Sequence, residues 1–293
     1  MPEHIPVWFV VAASSGFGRE VAIKALERGH TVVATARKAD RIQDLADAGA
    51  HIMTFDVTSP ASDIDAVAQQ VFKQHGRIDY LVNTAGYVLE GAAEEVSPQE
   101  IYECFNTNVF GIMNTLRVFL PRIREQPLAP NGIRSTILTF GSLATWKSGA
   151  SYSVYAMTKS CASSLAESLR EELSPFKIRA TAVEPGYFRT SFLKPGVIVN
   201  SQHRIAAYDD EQTPSGQLRK QLSIMDGKQP GDVSKGANVI VDVVTGSGAA
   251  DGKELPLRIV LGSDCYTVVR EKCSQTLAIL DQWDDIIKST DYA

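Results

Sequence analysis

The sequence predicts an α/β fold: a single domain over residues 1–293, built as one doubly wound, seven-stranded parallel sheet with helices on both faces. Three observations predict it. Short apolar runs alternate with amphipathic stretches from the first residues to about Gly262. The runs are too continuously apolar to leave one face in water, as expected of strands covered on both sides. The joint between the first run and the first helical stretch carries Gly16 and Gly18.

The elements follow in order. "VWFVVAA" reads as a buried strand, and Val21, Ala25 and Leu26 give the next helix its apolar face, closed by Gly29. "TVVATA" is the second strand, then come a short charged helix around Arg41 to Ala48 and the strand "HIMTF". Ile64, Val67, Ala68 and Val71 fall at i, i+3, i+4 and i+7 of a helix ending at Gly76. After the strand "DYLVNTA", Ser97, Pro98 and Glu100 supply an N-cap, a first-turn proline and a capping-box acid for one long helix through about Arg122. "STILTF", a helix from about Tyr155 to Leu173, "IRATAVE" and "LRIVLG" complete the set.

Composition narrows the function. A net charge of −5 with no basic run excludes a nucleic-acid partner, whose phosphates call for clustered Lys and Arg. The apolar run Val7 to Ala13 is too short to span a membrane and lacks the basic start of a signal peptide. Cys104, Cys161, Cys265 and Cys273 form no CxxC pair, and the five histidines have no ligand spacing, so no metal site is expected. Small buried thiols in a reducing compartment fit a cytoplasmic protein.

Gly16 and Gly18, in "AASSGFGRE", let the backbone approach a phosphate at the N-terminus of the following helix, whose free N–H groups and dipole favour an anion. Glycine for packing alone is the alternative. An acid closing the second strand would bind the ribose hydroxyl of NAD; here the strand ends "ATARK". Arg37 suits the 2′-phosphate of NADP(H) through charge-assisted hydrogen bonds, against the plainer reading of Arg37 and Lys38 as a solvated loop.

Together these segments resemble the short-chain dehydrogenase/reductase family over about residues 5 to 262. "VAASSGFG" resembles its glycine-rich turn, "FDVT" its adenine-contacting segment and "NTAG" its Asn-Asn-Ala-Gly. "NTNVFG" brings Asn108, and "TFGS" brings Ser142 thirteen residues before Tyr155. "YAMTK" is similar to Tyr-x-x-x-Lys, and "EPGYFRT" to the segment covering the nicotinamide. The resemblance implies a Rossmann fold that binds NADP(H) through Ser14, Ser15, Gly16, Phe17, Gly18, Arg37, Asp56, Val57, Asn83, Ala85 and Gly86, with Tyr155, Lys159, Pro185, Gly186, Phe188 and Thr190 on the nicotinamide side. It also implies a homodimer or homotetramer formed through the Ser97 and Tyr155 helices. Three departures stand out. Val11 and Ala12 replace Thr and the first Gly, and a methyl at Ala12 crowds the turn if φ there is positive. Thr84 replaces the second Asn, and Gly141 stands where a Ser often precedes the active one.

The implied chemistry is ketone reduction or its reverse. A tyrosine with pKa near 10 exchanges protons slowly at neutral pH, and an ammonium one helical turn on favours its phenolate. Tyr155 is then the acid, Lys159 its tuner and ribose anchor, and Ser142 a donor to the substrate oxygen. Asn108 anchors a water that resupplies Lys159, or else satisfies backbone inside its helix. The function expected is an NADP(H)-dependent oxidoreductase of secondary alcohols and ketones, acting on a hydrophobic substrate such as a steroid, a retinoid or a secondary metabolite. The alternatives are a non-catalytic NADP(H) sensor and a non-redox enzyme of natural-product biosynthesis on the same fold.

Residues 190–232 break the rhythm: polar, rich in Gly and Pro and weakly periodic, yet holding Phe192, Leu193, Val197, Ile198, Leu218 and Leu222. They are expected to form a substrate lid, and residues 263–293 a C-terminal helical extension.

Overall fold

The computed structural model describes residues 4–191 and 197–292; Phe192 and Leu193 lie outside them. The chain runs β1 (Val7–Val11), α1 (Gly16–Glu27), β2 (Thr31–Ala36), α2 (Gln43–Asp47), β3 (His51–Thr54), α3 (Ala61–His75), β4 (Tyr80–Asn83) and β5 (Val88–Glu90). It continues with α4 (Pro98–Phe105), α5 (Gly111–Glu125), β6 (Ser135–Phe140), α6 (Ser153–Glu172), β7 (Ile178–Pro185) and β8 (Ile198–Asn200). α7 (Pro214–Met225), α8 (Val233–Thr245), β9 (Arg258–Leu261), α9 (Ser263–Gln282) and α10 (Asp284–Lys288) follow. Seven strands pair in the order β3-β2-β1-β4-β6-β7-β9, all parallel. The strand order reverses between β1 and β4, so their carboxyl ends diverge into the crevice where ligands of open α/β sheets bind.

All five residues of β1 are buried because successive side chains feed opposite cores. Trp8 and Val10 pack in one layer with Val21 and Ala25 of α1 and Ile240 and Val241 of α8. Phe9 and Val11 pack in the other with Ile64 of α3, Phe119 of α5 and Ala162 of α6. This two-sided burial fixes where each strand ends, and therefore where the crevice residues stand.

The capping box at Ser97 and Glu100 forms as expected, but the long helix is not continuous. A π-helical turn, Asn106–Phe110, separates α4 from α5. Within it Asn108 is buried, and its amide reaches across to the backbone of Tyr87, a partner that periodicity does not reveal.

The segment expected to be a weakly periodic lid contains ordered elements. Its neck is closed by backbone bonds, Arg189 N–H to the Gly231 carbonyl at 2.8 Å and Gly231 N–H to the Tyr187 carbonyl at 3.0 Å. β8 lies parallel to β5, with Val88 opposite Ile198 and Glu90 opposite Asn200. Backbone pairing to a distant strand leaves no side-chain period, which is why the segment reads as loop.

Candidate active site

A cavity of about 790 Å³ opens at the carboxyl ends of β1, β4, β6 and β7. One end is the glycine turn. Ser15 is the N-cap of α1 in an extended conformation, its side chain makes no capping hydrogen bond, and the first turn carries no acid. The turn itself is tight. A Cβ on Gly18 would come within 2.5 Å of Thr84 Oγ1 and 2.9 Å of the Ala12 carbonyl, and the Thr84 hydroxyl donates to the Val11 carbonyl at 2.6 Å. Thr84 thus ties the ends of β1 and β4 together. Ala12 sits at φ 62°, in the left-handed region that favours glycine, so the methyl expected to crowd the turn does strain it.

Ser14, Ser15, Gly16, Phe17, Gly18, Arg37, Asp56 and Val57 all line this end. Arg37 is exposed at its rim, and Arg41, which sequence reasoning passed over, stands beside it on the same wall. Asp56 accepts from the Thr58 amide at 2.9 Å and hydroxyl at 2.7 Å, which fixes its carboxylate at the cavity edge. Ala85 and Gly86 line the floor, whereas Asn83 lies beneath it, buried. Asn83 Oδ1 accepts from the Ala85 amide at 3.1 Å, and its Nδ2 is without a partner.

Pro185, Gly186, Phe188 and Thr190 line the other end, with Ser142, Tyr155 and Lys159 between. The Ser142 hydroxyl hydrogen-bonds the Tyr155 phenol. Lys159 Nζ donates to the Phe140 carbonyl at 3.0 Å and stands 5.6 Å from the Tyr155 ring centroid. Burial dominates both side chains. It raises the Tyr155 pKa, which the Ser142 bond opposes, and it lowers that of Lys159 to about 8. The expected depression of the tyrosine by its lysine is not among the influences on it: desolvation raises Tyr155, the Ser142 hydrogen bond opposes it, and the side chain is held as a protonated phenol. Gly86 makes room for this grouping, since a Cβ there would lie 3.1 Å from Asn108 Oδ1 and 3.3 Å from Lys159 Nζ.

Asn108 does not line the cavity. Its Nδ2 donates to the Tyr87 carbonyl and to Thr158 Oγ1, both at 3.0 Å, and its Oδ1 accepts from the Tyr87 amide at 3.0 Å. Both donors are spent on protein, though on Tyr87 and Thr158 and not on backbone inside its own helix, and the side chain clamps the loop before β5 to α6.

Behind Ser142 lies a network the sequence did not announce. Glu184, fully buried, accepts from Ser163 Oγ at 2.6 Å and Trp146 Nε1 at 2.7 Å, and pairs with Arg258. Ser163 meets Thr145, whose hydroxyl accepts from the Ser142 amide at 3.2 Å. Gly141 allows this approach, because a Cβ there would fall 2.3 Å from Ser163 Oγ. A second network anchors the cover. Glu90 and Glu95, both buried, receive Arg204 and Arg219, with Arg204–Glu90 at 2.5 Å and Arg219–Glu90 at 2.9 Å. Leu218 and Leu222 of α7, four residues apart, turn toward the cavity beside Ile198.

A glycine turn on a helix terminus, the ends of four strands and a half-buried serine beside a buried tyrosine and lysine are the parts of a dinucleotide-dependent oxidoreductase. The short chain dehydrogenase family model matches residues 6–197, and the chain belongs to that family. It is 31% identical over 284 residues to oxidoreductase calM of Penicillium decumbens, covering 94% of this chain and 89% of that one. It is 26% identical over 283 residues to oxidoreductase BOA17 of Botryotinia fuckeliana, covering 96% and 97%. A short-chain dehydrogenase structure from Streptomyces avermitilis superposes with a TM-score of 0.84 at 33% identity, covering 99% of this chain and 100% of that one. The chain is thus an oxidoreductase of a family that uses nicotinamide cofactors. Among the described residues no helix is long and apolar enough to cross a membrane, and no group of His, Cys, Asp or Glu is placed to hold a metal ion.

Proposed function

We propose that the protein is an NADP(H)-dependent oxidoreductase that interconverts a secondary alcohol and a ketone on a hydrophobic substrate, acting in the cytoplasm. The observation that carries this reading is Ser142, half-buried, beside the buried Tyr155 and Lys159 at the middle of a cavity whose far wall is apolar. The donor set fits the cofactor: an uncapped helix N-terminus without a first-turn acid for the pyrophosphate, and Arg37 with Arg41 for the 2′-phosphate. NADPH, when bound, supplies the hydride.

The chain supplies the proton and the geometry. Tyr155, kept protonated by burial, gives its proton to the carbonyl oxygen, while the Ser142 hydroxyl donates a hydrogen bond to the same oxygen. Lys159, lowered to about 8, exchanges protons near neutral pH and returns one toward the phenolate. Val88, Leu143, Val197, Ile198, Leu218 and Leu222 favour an apolar substrate body. The test is a panel of carbonyl compounds graded in hydrophobicity, followed by NADPH consumption. Turnover that rises with apolar size supports the reading; no stoichiometric NADPH loss with any compound refutes it.

We further propose that copies associate through the α4–α6 side. Tyr102, Phe110, Met113 and Met157 are large apolar side chains exposed there.

A further inference from the structure

Glu184 is fully buried near the end of β7, behind the turn that carries Ser142, and no step of the proposed reaction uses it. Stability does not call for it either. A buried ion pair gains little over well-packed apolar side chains of the same volume, because desolvation offsets the attraction. The role of the carboxylate shows in where its two oxygens go.

Oε1 accepts from Ser163 Oγ at 2.6 Å and pairs with Arg258, and Oε2 accepts from Trp146 Nε1 at 2.7 Å. A carboxylate can only accept, so the Ser163 proton points at Glu184 and a Ser163 lone pair is left for Thr145 Oγ1, 3.4 Å away. The Thr145 hydroxyl then gives its proton to Ser163 and accepts from the Ser142 amide at 3.2 Å. The chain of bonds therefore has one direction, from the Ser142 amide to Glu184, and each member polarises the next. Ser142 and Trp146 are the two ends of one short helical turn. A single carboxylate thus holds both ends, Trp146 directly and Ser142 through two hydroxyls. Arg258 closes the arrangement from the other side, stacked 5.0 Å from the Trp146 ring centroid. The fit is close. A Cβ on Gly141 would fall 2.3 Å from Ser163 Oγ, 3.0 Å from Glu184 Cγ and 3.1 Å from Thr145 Oγ1, so all three members converge on the residue before Ser142.

We propose that Glu184 is a positioning residue which, through Ser163, Thr145 and Trp146, sets the place of the Ser142 hydroxyl against Tyr155 and the substrate oxygen. This rests on the reading of Ser142 as a donor to that oxygen. The Ser142 hydroxyl accepts from the Ala144 amide at 3.1 Å within the same turn, so the hydroxyl moves when the turn moves. A misplacement of about 1 Å costs on the order of 10²-fold in rate.

A mutant cycle on the full chain tests it, with a carbonyl compound that the protein reduces and with NADPH binding followed by fluorescence. Thr145→Val keeps the shape of the side chain and cuts the chain of bonds. It should lower kcat by roughly ten- to a hundredfold and leave the NADPH dissociation constant unchanged, while Thr145→Ser should keep the wild-type kcat. Ser163→Ala should follow Thr145→Val. So should Glu184→Gln, whose amide cannot accept from both Ser163 and Trp146. In a Ser142→Ala background Thr145→Val should cost nothing further, because both substitutions act on one hydroxyl. Hydrogen exchange at the Ser142 amide, which needs no substrate, should quicken about tenfold or more in Thr145→Val with β6 still protected. A full further loss in the Ser142→Ala background overturns the proposal and leaves the network a packing device. Unchanged exchange at the Ser142 amide overturns it too. A loss of kcat in Ser142→Ala with none in Thr145→Val overturns this proposal alone. A wild-type kcat in Ser142→Ala overturns the reading of Ser142 and this proposal with it.

Discussion

The two ends of the cavity are held in place by different physics. At the cofactor end, Gly16, Gly18, Ala85 and Gly86 are backbone surfaces at strand termini, and the buried sheet behind them sets their positions. At the cover, β8 and α7 are held by a three-residue strand pair and by Arg204 and Arg219 on Glu90 and Glu95. The first end can change only if the sheet changes. The second depends on charges that salt, pH or one substitution can disturb. On the proposed function, the difference teaches that recognition of the dinucleotide is built into the fold, while recognition of the substrate hangs on a piece held by a short strand pair and by charge.

The largest effect is expected where the two ends meet. Tyr155→Phe removes the proton donor and little packing, and should lower kcat by roughly 10²–10⁴ while NADPH binding, measured by fluorescence titration, is kept. A variant that retains a tenth of the activity would show that another group gives the proton.

Next comes the cover. Burial pushes the Glu95 carboxyl up, but the Ile205 and Ala92 amides and the Arg219 guanidinium outweigh it and hold its pKa below the ordinary range. Arg219→Ala leaves the buried Glu90 and Glu95 to share Arg204 alone, 3.7 Å from Glu95, a loss smaller than the about 3–5 kcal/mol of a fully stranded buried charge. The expectation is a raised KM for apolar substrates and rapid proteolysis between residues 198 and 225, with cofactor affinity untouched. Since the folded pKa of Glu95 is depressed, its contribution is present above the unfolded value and lost as pH falls through the folded one, so acid should open the cover first. If wild type and variant are cleaved at the same rate, with and without NADPH and product, the segment is a fixed wall and not a lid.

Lys159 gives a pH signature from the catalytic centre. Its pKa falls from 10.5 to about 8 on folding, so the native state sheds a proton that the unfolded chain keeps between those values. Stability should therefore rise from pH 8 toward pH 10, by up to about 3 kcal/mol. Tyr155, whose folded pKa is raised, opposes this only above pH 10. Lys159→Met should be inactive yet more stable than wild type at pH 7, and its urea midpoint should not climb over this range. A wild-type midpoint that is flat from pH 8 to 10 would mean the ammonium is better solvated than its burial implies.

How much of this was legible follows the same division. β1, β4, β6 and β7 were readable because strands covered on both faces are continuously apolar, and the glycine turn because its conformation demands glycine. Ser142, Tyr155 and Lys159 were readable through spacing within one helix and the strand before it. The π turn at Asn106–Phe110 was not, since it depends on a bond from Asn108 to Tyr87, twenty-one residues away. The cover was least legible. Glu90 meets Arg204 and Arg219 across 114 and 129 residues, and no local pattern marks such pairs. Glu184 likewise read as the start of "EPG" and gave no sign of the Ser163, Trp146 and Arg258 that surround it.

Cofactor choice tests how far the rigid end can be rewritten. A charge-assisted bond to a phosphate contributes about 1.5–3 kcal/mol, roughly ten- to a hundredfold in affinity. Arg37→Asp should cut NADPH affinity by that factor, and Ala36→Asp with it should favour NADH. Arg41 on the same wall is expected to retain part of the preference until it too is replaced. Equal dissociation constants for NADPH and NADH in the wild type would remove Arg37 from the site.

The smallest effect concerns the one place where the rigid end is itself strained. Ala12 holds φ at 62° directly after β1, with its carbonyl facing the ground that a Gly18 side chain would need. A non-glycine residue in this region costs about 1–2 kcal/mol, but glycine also has more freedom to lose on folding, about 0.5–1 kcal/mol. The net gain of Ala12→Gly is thus on the order of 0.5 kcal/mol in stability. Its effect on the cofactor is a separate question with a separate sign. If the turn is already held in its binding shape by Thr84 on the Val11 carbonyl, removing the methyl changes melting temperature but not NADPH affinity. If the strained alanine lets the turn relax away from that shape, affinity rises with stability. Thr84→Val discriminates the two by removing the hydroxyl that ties the turn to β4. The expectation is that Ala12→Gly alone leaves the NADPH dissociation constant unchanged, and that in the Thr84→Val background the same substitution alters it. An affinity gain of tenfold in the otherwise unchanged protein would show that the cofactor end is less rigid than the cover it was set against.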